Sequence, residues 1–118
     1  MERPELAPEK ISTLADTVVS GFHRNIVEEV IGAVTRDRVV VVGMAQNPVV
    51  KNARKFLTAQ GAKFTYLEYG SYLSQWKQRL AIKLWAGFPT FPMVFVDGTL
   101  VGGLSELQKW VETNKLPS

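Results

Sequence analysis

Four consecutive valines, Val39-Val40-Val41-Val42, set the strongest constraint on the fold. β-Branched side chains are stiff in helices and pack well on a pleated surface, so this apolar run reads as a buried strand over 38–43. The loop Gly43-Met44-Ala45-Gln46-Asn47 follows, and Pro48 suits the first turn of a helix, where its missing N–H costs nothing. That helix is expected over 48–60, with Ala53, Phe56 and Leu57 inward and Lys51, Arg54 and Lys55 largely outward. Gly61 ends it as a residue tolerant of the left-handed conformation.

Phe64-Thr65-Tyr66-Leu67 is the next strand, Tyr69-Gly70-Ser71 a loop, and 73–86 a second core helix carrying Trp76, Leu80, Ile82 and Trp85. Gly87-Phe88-Pro89 closes that helix. Met93-Val94-Phe95-Val96 forms a third strand, and Asp97-Gly98 a tight hairpin turn into Thr99-Leu100-Val101. Gly102-Gly103 precedes a last helix over about 105–114, with Leu107, Trp110 and Val111 inward. Strand, helix, strand, helix, hairpin, helix implies a parallel strand pair extended by two antiparallel strands. The expected fold class is therefore α/β, a four-stranded mixed sheet flanked by helices on both faces.

Ahead of the sheet, residues 1–10 hold two prolines among alternating charges and are expected to form a flexible lead-in. Leu14, Val18, Phe22, Ile26, Val30 and Val34 recur at helical spacing over 12–34, with Ser12 or Thr13 as cap and Gly21 as a break. This gives an N-terminal helical extension (1–35) packing on a core domain (36–118). Phe22, Ile26 and Val30 are expected to cover the domain's own sheet, the alternative being contact with another chain.

With 118 residues and a hydrophobic fraction of 46%, the chain suits one soluble domain. No apolar stretch approaches a membrane span and the N-terminus lacks a signal core, so a cytoplasmic location is expected. The absence of cysteine excludes disulfides, thiol catalysis, thiolate zinc sites and cysteine-ligated iron–sulfur clusters from this chain alone. A single histidine, His23, excludes a multi-histidine metal site, and no metal is expected. Charge is uneven: residues 38–118 hold ten Lys/Arg against four Asp/Glu. Lys51, Arg54, Lys55, Lys77 and Lys83 are expected to be solvated helix faces, with no accompanying nucleic-acid motif.

The stretch Trp85-Ala86-Gly87-Phe88-Pro89-Thr90-Phe91-Pro92-Met93-Val94-Phe95-Val96-Asp97-Gly98-Thr99-Leu100-Val101-Gly102-Gly103-Leu104 resembles the second half of a glutaredoxin. It is similar to the monothiol branch, where an aromatic residue and a proline precede a Thr-x-Pro triplet. The resemblance covers residues 38–116, about two thirds of the chain. It implies a thioredoxin-like fold and a cis bond before Pro92, with the Phe91 backbone offered to an extended peptide, which in glutaredoxins is glutathione. It also implies that Gly102-Gly103 lets backbone approach a ligand closely, that the amides of Leu104 and Ser105 receive a carboxylate at a helix start, and that Arg79 lies near the glycine carboxylate of glutathione. Met44, Gln46, Asn47 and Thr90 complete the expected ligand-binding set.

The departures fall on the chemistry. Asn47 stands where the reactive cysteine would be, and Val50 where a second cysteine would be. An amide does not become a thiolate of lowered pKa. Met44 stands at a lysine position that pairs with a glutathione carboxylate, and Ser105 at an aspartate position that meets the γ-glutamyl amine. An exposed ion pair contributes roughly 0–1 kcal/mol, so glutathione enters as a weakened ligand and no cofactor is required.

The expectation is a redox-inactive glutaredoxin-like protein that holds glutathione or an extended peptide or protein partner in a degenerate groove, acting by binding. Two alternatives stand beside it. One is a glutathione-dependent oxidoreductase or iron–sulfur carrier that uses the thiol of bound glutathione. The other is a structural interaction module. The sequence leaves the oligomeric state open.

Overall fold

The central strand β1 (Val39–Gly43) is buried along its whole length, as a run of valines requires when both faces of a sheet are covered. The structure, a computed structural model, describes residues 22–71 and 74–117. The expected lead-in, the helical stretch 12–21, the break at Gly21 and the side chains of Phe22 and His23 lie outside the described residues, as does Leu73, the expected start of the second core helix.

Among the described residues, the elements are α1 (Phe22–Arg36), β1, α2 (Pro48–Ala59), β2 (Thr65–Glu68), α3 (Trp76–Ala86), β3 (Met93–Val96), β4 (Thr99–Gly102) and α4 (Leu104–Thr113). The strand order is β2-β1-β3-β4. β1 pairs parallel with β2 and antiparallel with β3, and β3 pairs antiparallel with β4. The mixed thioredoxin-like sheet expected from the order of elements is the observed one, with α1 as a helix preceding the sheet.

Alternation along β1 divides the core in two. Val40 and Val42 join Val30, Ala33 and Val34 of α1, Ile82 and Ala86 of α3, and Phe95. Val39 and Val41 join Leu57 of α2, Leu107 of α4, Val94 and Val96. So α1 and α3 cover one face, and α2 and α4 chiefly the other. Each fully buried Val, Leu, Ile or Phe contributes roughly 1.5–3 kcal/mol, so these two layers carry the main stabilisation.

The turns follow their chemistry. Asp97 (φ 49°) and Gly98 (φ 82°) both take positive φ, the mirror-image turn that matches strand twist. The Asp97 N–H donates to the Arg38 carbonyl at 2.7 Å, and Arg38 Nε donates to Asp97 Oδ1 at 2.9 Å. The hydrogen bond from Arg38 holds the Asp97 carboxyl below its ordinary range. Gly61 ends α2 at φ 76°. At the same end of the sheet, Asp37 accepts from Arg36 and from Thr65 Oγ1, joining the α1–β1 turn to the start of β2.

One packing expectation is corrected. Trp76 and Leu80, read as core positions of the second core helix, are 58% and 40% exposed. Residues two apart on a helix are separated by about 200°. Ile82 faces the sheet together with Arg79 and Ala86, which turns Leu80, and Trp76 one turn before it, outward. The core-facing stripe of α3 is therefore narrower than its apolar residues suggest.

Candidate functional site

Register places the expected site residues along one edge of the sheet. Val42 pairs with Met93, so the segment ending in Pro92 lies beside the end of β1. The Phe91–Pro92 bond is cis, as the resemblance implied. Val94 pairs with Gly102, so Gly103 emerges next to Pro92, and a Cβ built at Gly103 would lie 3.5 Å from the Pro92 carbonyl oxygen. Helices α2, α3 and α4 follow β1, β2 and β4, so all three begin at this edge, where open α/β sheets place their ligands.

The side-chain oxygen of Asn47 is engaged in local structure. It is extended at φ −106°, ψ 114°, and caps α2. Its Oδ1 accepts from the Val49 and Val50 amides at 2.9 and 3.1 Å, two of the donors a helix start leaves without intrahelical partners. Gln46, at φ 61°, lifts the chain into that cap. The Asn47 amide, where the resemblance implies a reactive cysteine, thus accepts the same N–H groups that would lower the pKa of a thiol there. Asn47→Ala is expected to cost about 1 kcal/mol of unfolding free energy by urea denaturation, whereas Asn47→Asp, which keeps the acceptor and suits the helix dipole, is expected to cost nothing.

The close seat of α2 depends on Gly43, where a Cβ would meet Val50 Cγ1 at 2.6 Å and Tyr66 Cε1 at 3.0 Å. Val50, where the resemblance implies a second cysteine, is 2% exposed and belongs to the core as a packing residue.

Beyond β2 the chain is stitched back to the β1 loop. The Tyr69 N–H donates to Gly43 O at 2.9 Å, and the Ala45 N–H to Gly70 O at 2.6 Å. Arg79 Nη1 donates to the Tyr69 carbonyl at 3.0 Å and to the Ser74 carbonyl. The Tyr69 hydroxyl donates to Glu29 of α1. Burial, with the Glu29 carboxylate beside it, drives the Tyr69 phenol pKa upward.

At the α4 end, Gly102 holds φ 131° and the Gly103 N–H donates to Glu106 Oε1 at 2.8 Å. Leu104 and Ser105 open the helix, so their N–H groups have no acceptor within it.

The structure separates the expected set. Gln46, Asn47, Thr90, Pro92, Gly103, Leu104 and Ser105 all lie along the edge, with Gln46, Thr90 and Ser105 exposed. Two residues place their side chains in the core instead. Met44 is 6% exposed and packs in the α1/α3 layer with Tyr69 and Ile82, which corrects the expectation of a ligand-facing side chain. The Phe91 ring is buried in the same layer, which leaves its backbone as the part that reaches the edge. Arg79 is 7% exposed, with its guanidinium committed to main-chain carbonyls.

Sequence reasoning missed Glu106, though its place three residues after Gly103 is capping-box spacing and was a usable signal. The pairing of Tyr69 with Glu29, forty residues apart, left no such signal. Among the described residues there is no group of three or more His, Asp or Glu that could hold a metal, and no helix is long and apolar enough to cross a membrane.

No protein-family model matches the chain. A glutaredoxin-like protein of Dictyostelium discoideum is 54% identical over 91 residues, covering 77% of this chain and 74% of that protein. Glutaredoxin 3 of Danio rerio is 33% identical over 76 residues, covering 63% of this chain and 23% of that protein. Among solved structures, a mutated buckwheat glutaredoxin superposes with a TM-score of 0.70 at 20% identity, covering 80% of this chain and 86% of the other. A buckwheat glutaredoxin–glutathione complex gives 0.67 at 20% identity with the same coverage. The holo form of glutaredoxin C1 from Populus tremula x tremuloides gives 0.66 at 23%, covering 80% and 85%. At these identities the structural likeness establishes the fold.

Proposed function

This chain belongs to the glutaredoxin family, and from that membership we propose that it works by binding an extended, peptide-like ligand at the sheet edge, without thiol chemistry. One observation carries the reading: Asn47, at the ancestral nucleophile position, is a helix cap whose Oδ1 accepts from the Val49 and Val50 amides. With no cysteine in the chain, it has no thiol of its own to attack a disulfide.

What supports binding is the main chain that surrounds the cap. The cis-Pro92 segment, Gly103 and the opening amides of α4 lie side by side, and main-chain groups recognise an extended peptide whatever its side chains. The similarity in fold to a buckwheat glutaredoxin–glutathione complex makes that tripeptide the natural first probe. The expected compartment is the cytosol.

Titration of the isotope-labelled chain with reduced glutathione, followed through its amide resonances, tests the reading. Fast-exchange shifts are expected at Asn47, Phe91, Gly103, Leu104 and Ser105, saturating only at millimolar ligand. An edge left unmoved both by glutathione and by a neutral, blocked extended peptide, or shifts confined to other surfaces, overturns it.

A further inference from the structure

Resting on the binding reading above, we propose that the edge selects an extended internal segment of a partner protein, apolar beside Val49 and free of terminal charge, in preference to glutathione. The argument is one of charge. Glutathione carries two carboxylates and one ammonium, and a groove that holds it well must meet them.

Here the positions expected to supply a cation are neutral or committed elsewhere. Met44 is neutral and buried. Arg79 gives its guanidinium to the carbonyls of Tyr69 and Ser74, which hold the loop beside the β1 end in place. The ammonium groups of Lys77 and Lys83 lie over the rings of Trp76 and Phe91, at 5.6 and 5.7 Å from the ring centres.

The start of α4 already has a resident anion. Glu106 Oε1 takes the Gly103 N–H, so a carboxylate arriving at the neighbouring amides of Leu104 and Ser105 meets a like charge. What the edge offers without cost is neutral: main-chain donors and acceptors, the Asn47 amide, and apolar surface. Val49, in the first turn of α2, is 46% exposed, and Trp76, in the first turn of α3, is 58% exposed. A segment within a protein chain brings peptide groups and side chains with no terminal charge, and it complements this surface.

Amide-resonance titrations of the full chain with three probes test the proposal: reduced glutathione, the blocked pentapeptide acetyl-Gly-Val-Leu-Val-Gly-amide, and the same peptide with a free carboxylate. The blocked peptide is expected to bind about tenfold more tightly than glutathione, and freeing its carboxylate to weaken it about two- to fivefold. In Glu106→Gln the gap between the two peptides is expected to narrow, which a merely structural role for Glu106 does not produce. Glutathione binding as tightly as the blocked peptide, or a gap unchanged in E106Q, overturns the selectivity and leaves the binding reading standing. Edge amides unmoved by all three probes overturn both.

Discussion

Asn47→Cys is expected to give this cysteine-free chain a reactive, low-pKa thiol. The Val49 and Val50 amides that now point at Asn47 Oδ1 would point at sulfur, at the positive end of the α2 dipole. Both effects favour the anion, and thiols at helix starts titrate at about 3.5–7.5 in place of about 8.5. The pH dependence of iodoacetamide alkylation reads this directly, and the midpoint is expected below about 7.5. Glutathione-dependent disulfide reduction is expected to rise from the uncatalysed rate to measurable turnover. Because Val50 is buried and apolar, the restored chemistry uses one protein thiol and proceeds through a mixed disulfide with glutathione. A thiol that titrates at an ordinary value would show that the α2 start no longer forms an anion-stabilising cradle.

The second large effect is expected at Gly102. Its φ of 131° is one that side chains other than hydrogen rarely adopt. A Cβ there would also lie 2.7 Å from both Cβ and Cγ of Glu106, and the first of these moves only if α4 moves. Backbone strain of about 1–3 kcal/mol and overpacking of about 1–3 kcal/mol add to about 4 kcal/mol for Gly102→Ala. That is a large part of the 5–15 kcal/mol that holds a typical domain folded. Urea denaturation is the measurement, with Gly98→Ala as comparator. Gly98 has φ 82° and nothing within 4 Å of an added Cβ, so it carries the strain alone and is expected to cost about half as much or less. Equal costs at the two glycines would show that α4 is not packed tightly on the end of β4.

How much of this was legible in the sequence depends on how local each cause is. The valine run, Pro48, Gly61 and Asp97-Gly98 act through their own backbone preferences, and the strands, helix ends and hairpin they imply are the observed ones. The exposure of Trp76 and Leu80 was not legible. The period of α3 admits two neighbouring faces, and the neighbours on α1 and the sheet decide between them. The site divides the same way. That Asn47 stands where a nucleophile is expected follows from the resemblance, and its role as cap follows from residue type and position. The fates of Met44 and Arg79 do not. A lysine-position methionine sinks into a core layer assembled from α1, α3 and β1, and an arginine matching a ligand-binding position is claimed by carbonyls of a loop that only the folded chain brings near.

The central claim is occupancy of this edge without thiol turnover, and one sample tests both halves. The isotope-labelled natural chain is mixed with a glutathionylated peptide and excess reduced glutathione. Its amide shifts report where ligand sits, and the peptide's own resonances report loss of the glutathionyl group. The account expects shifts at Asn47, Phe91 and Gly103 through Ser105 while the peptide is released no faster than in protein-free buffer. Release faster than in buffer, or shifts that avoid those residues, would contradict it.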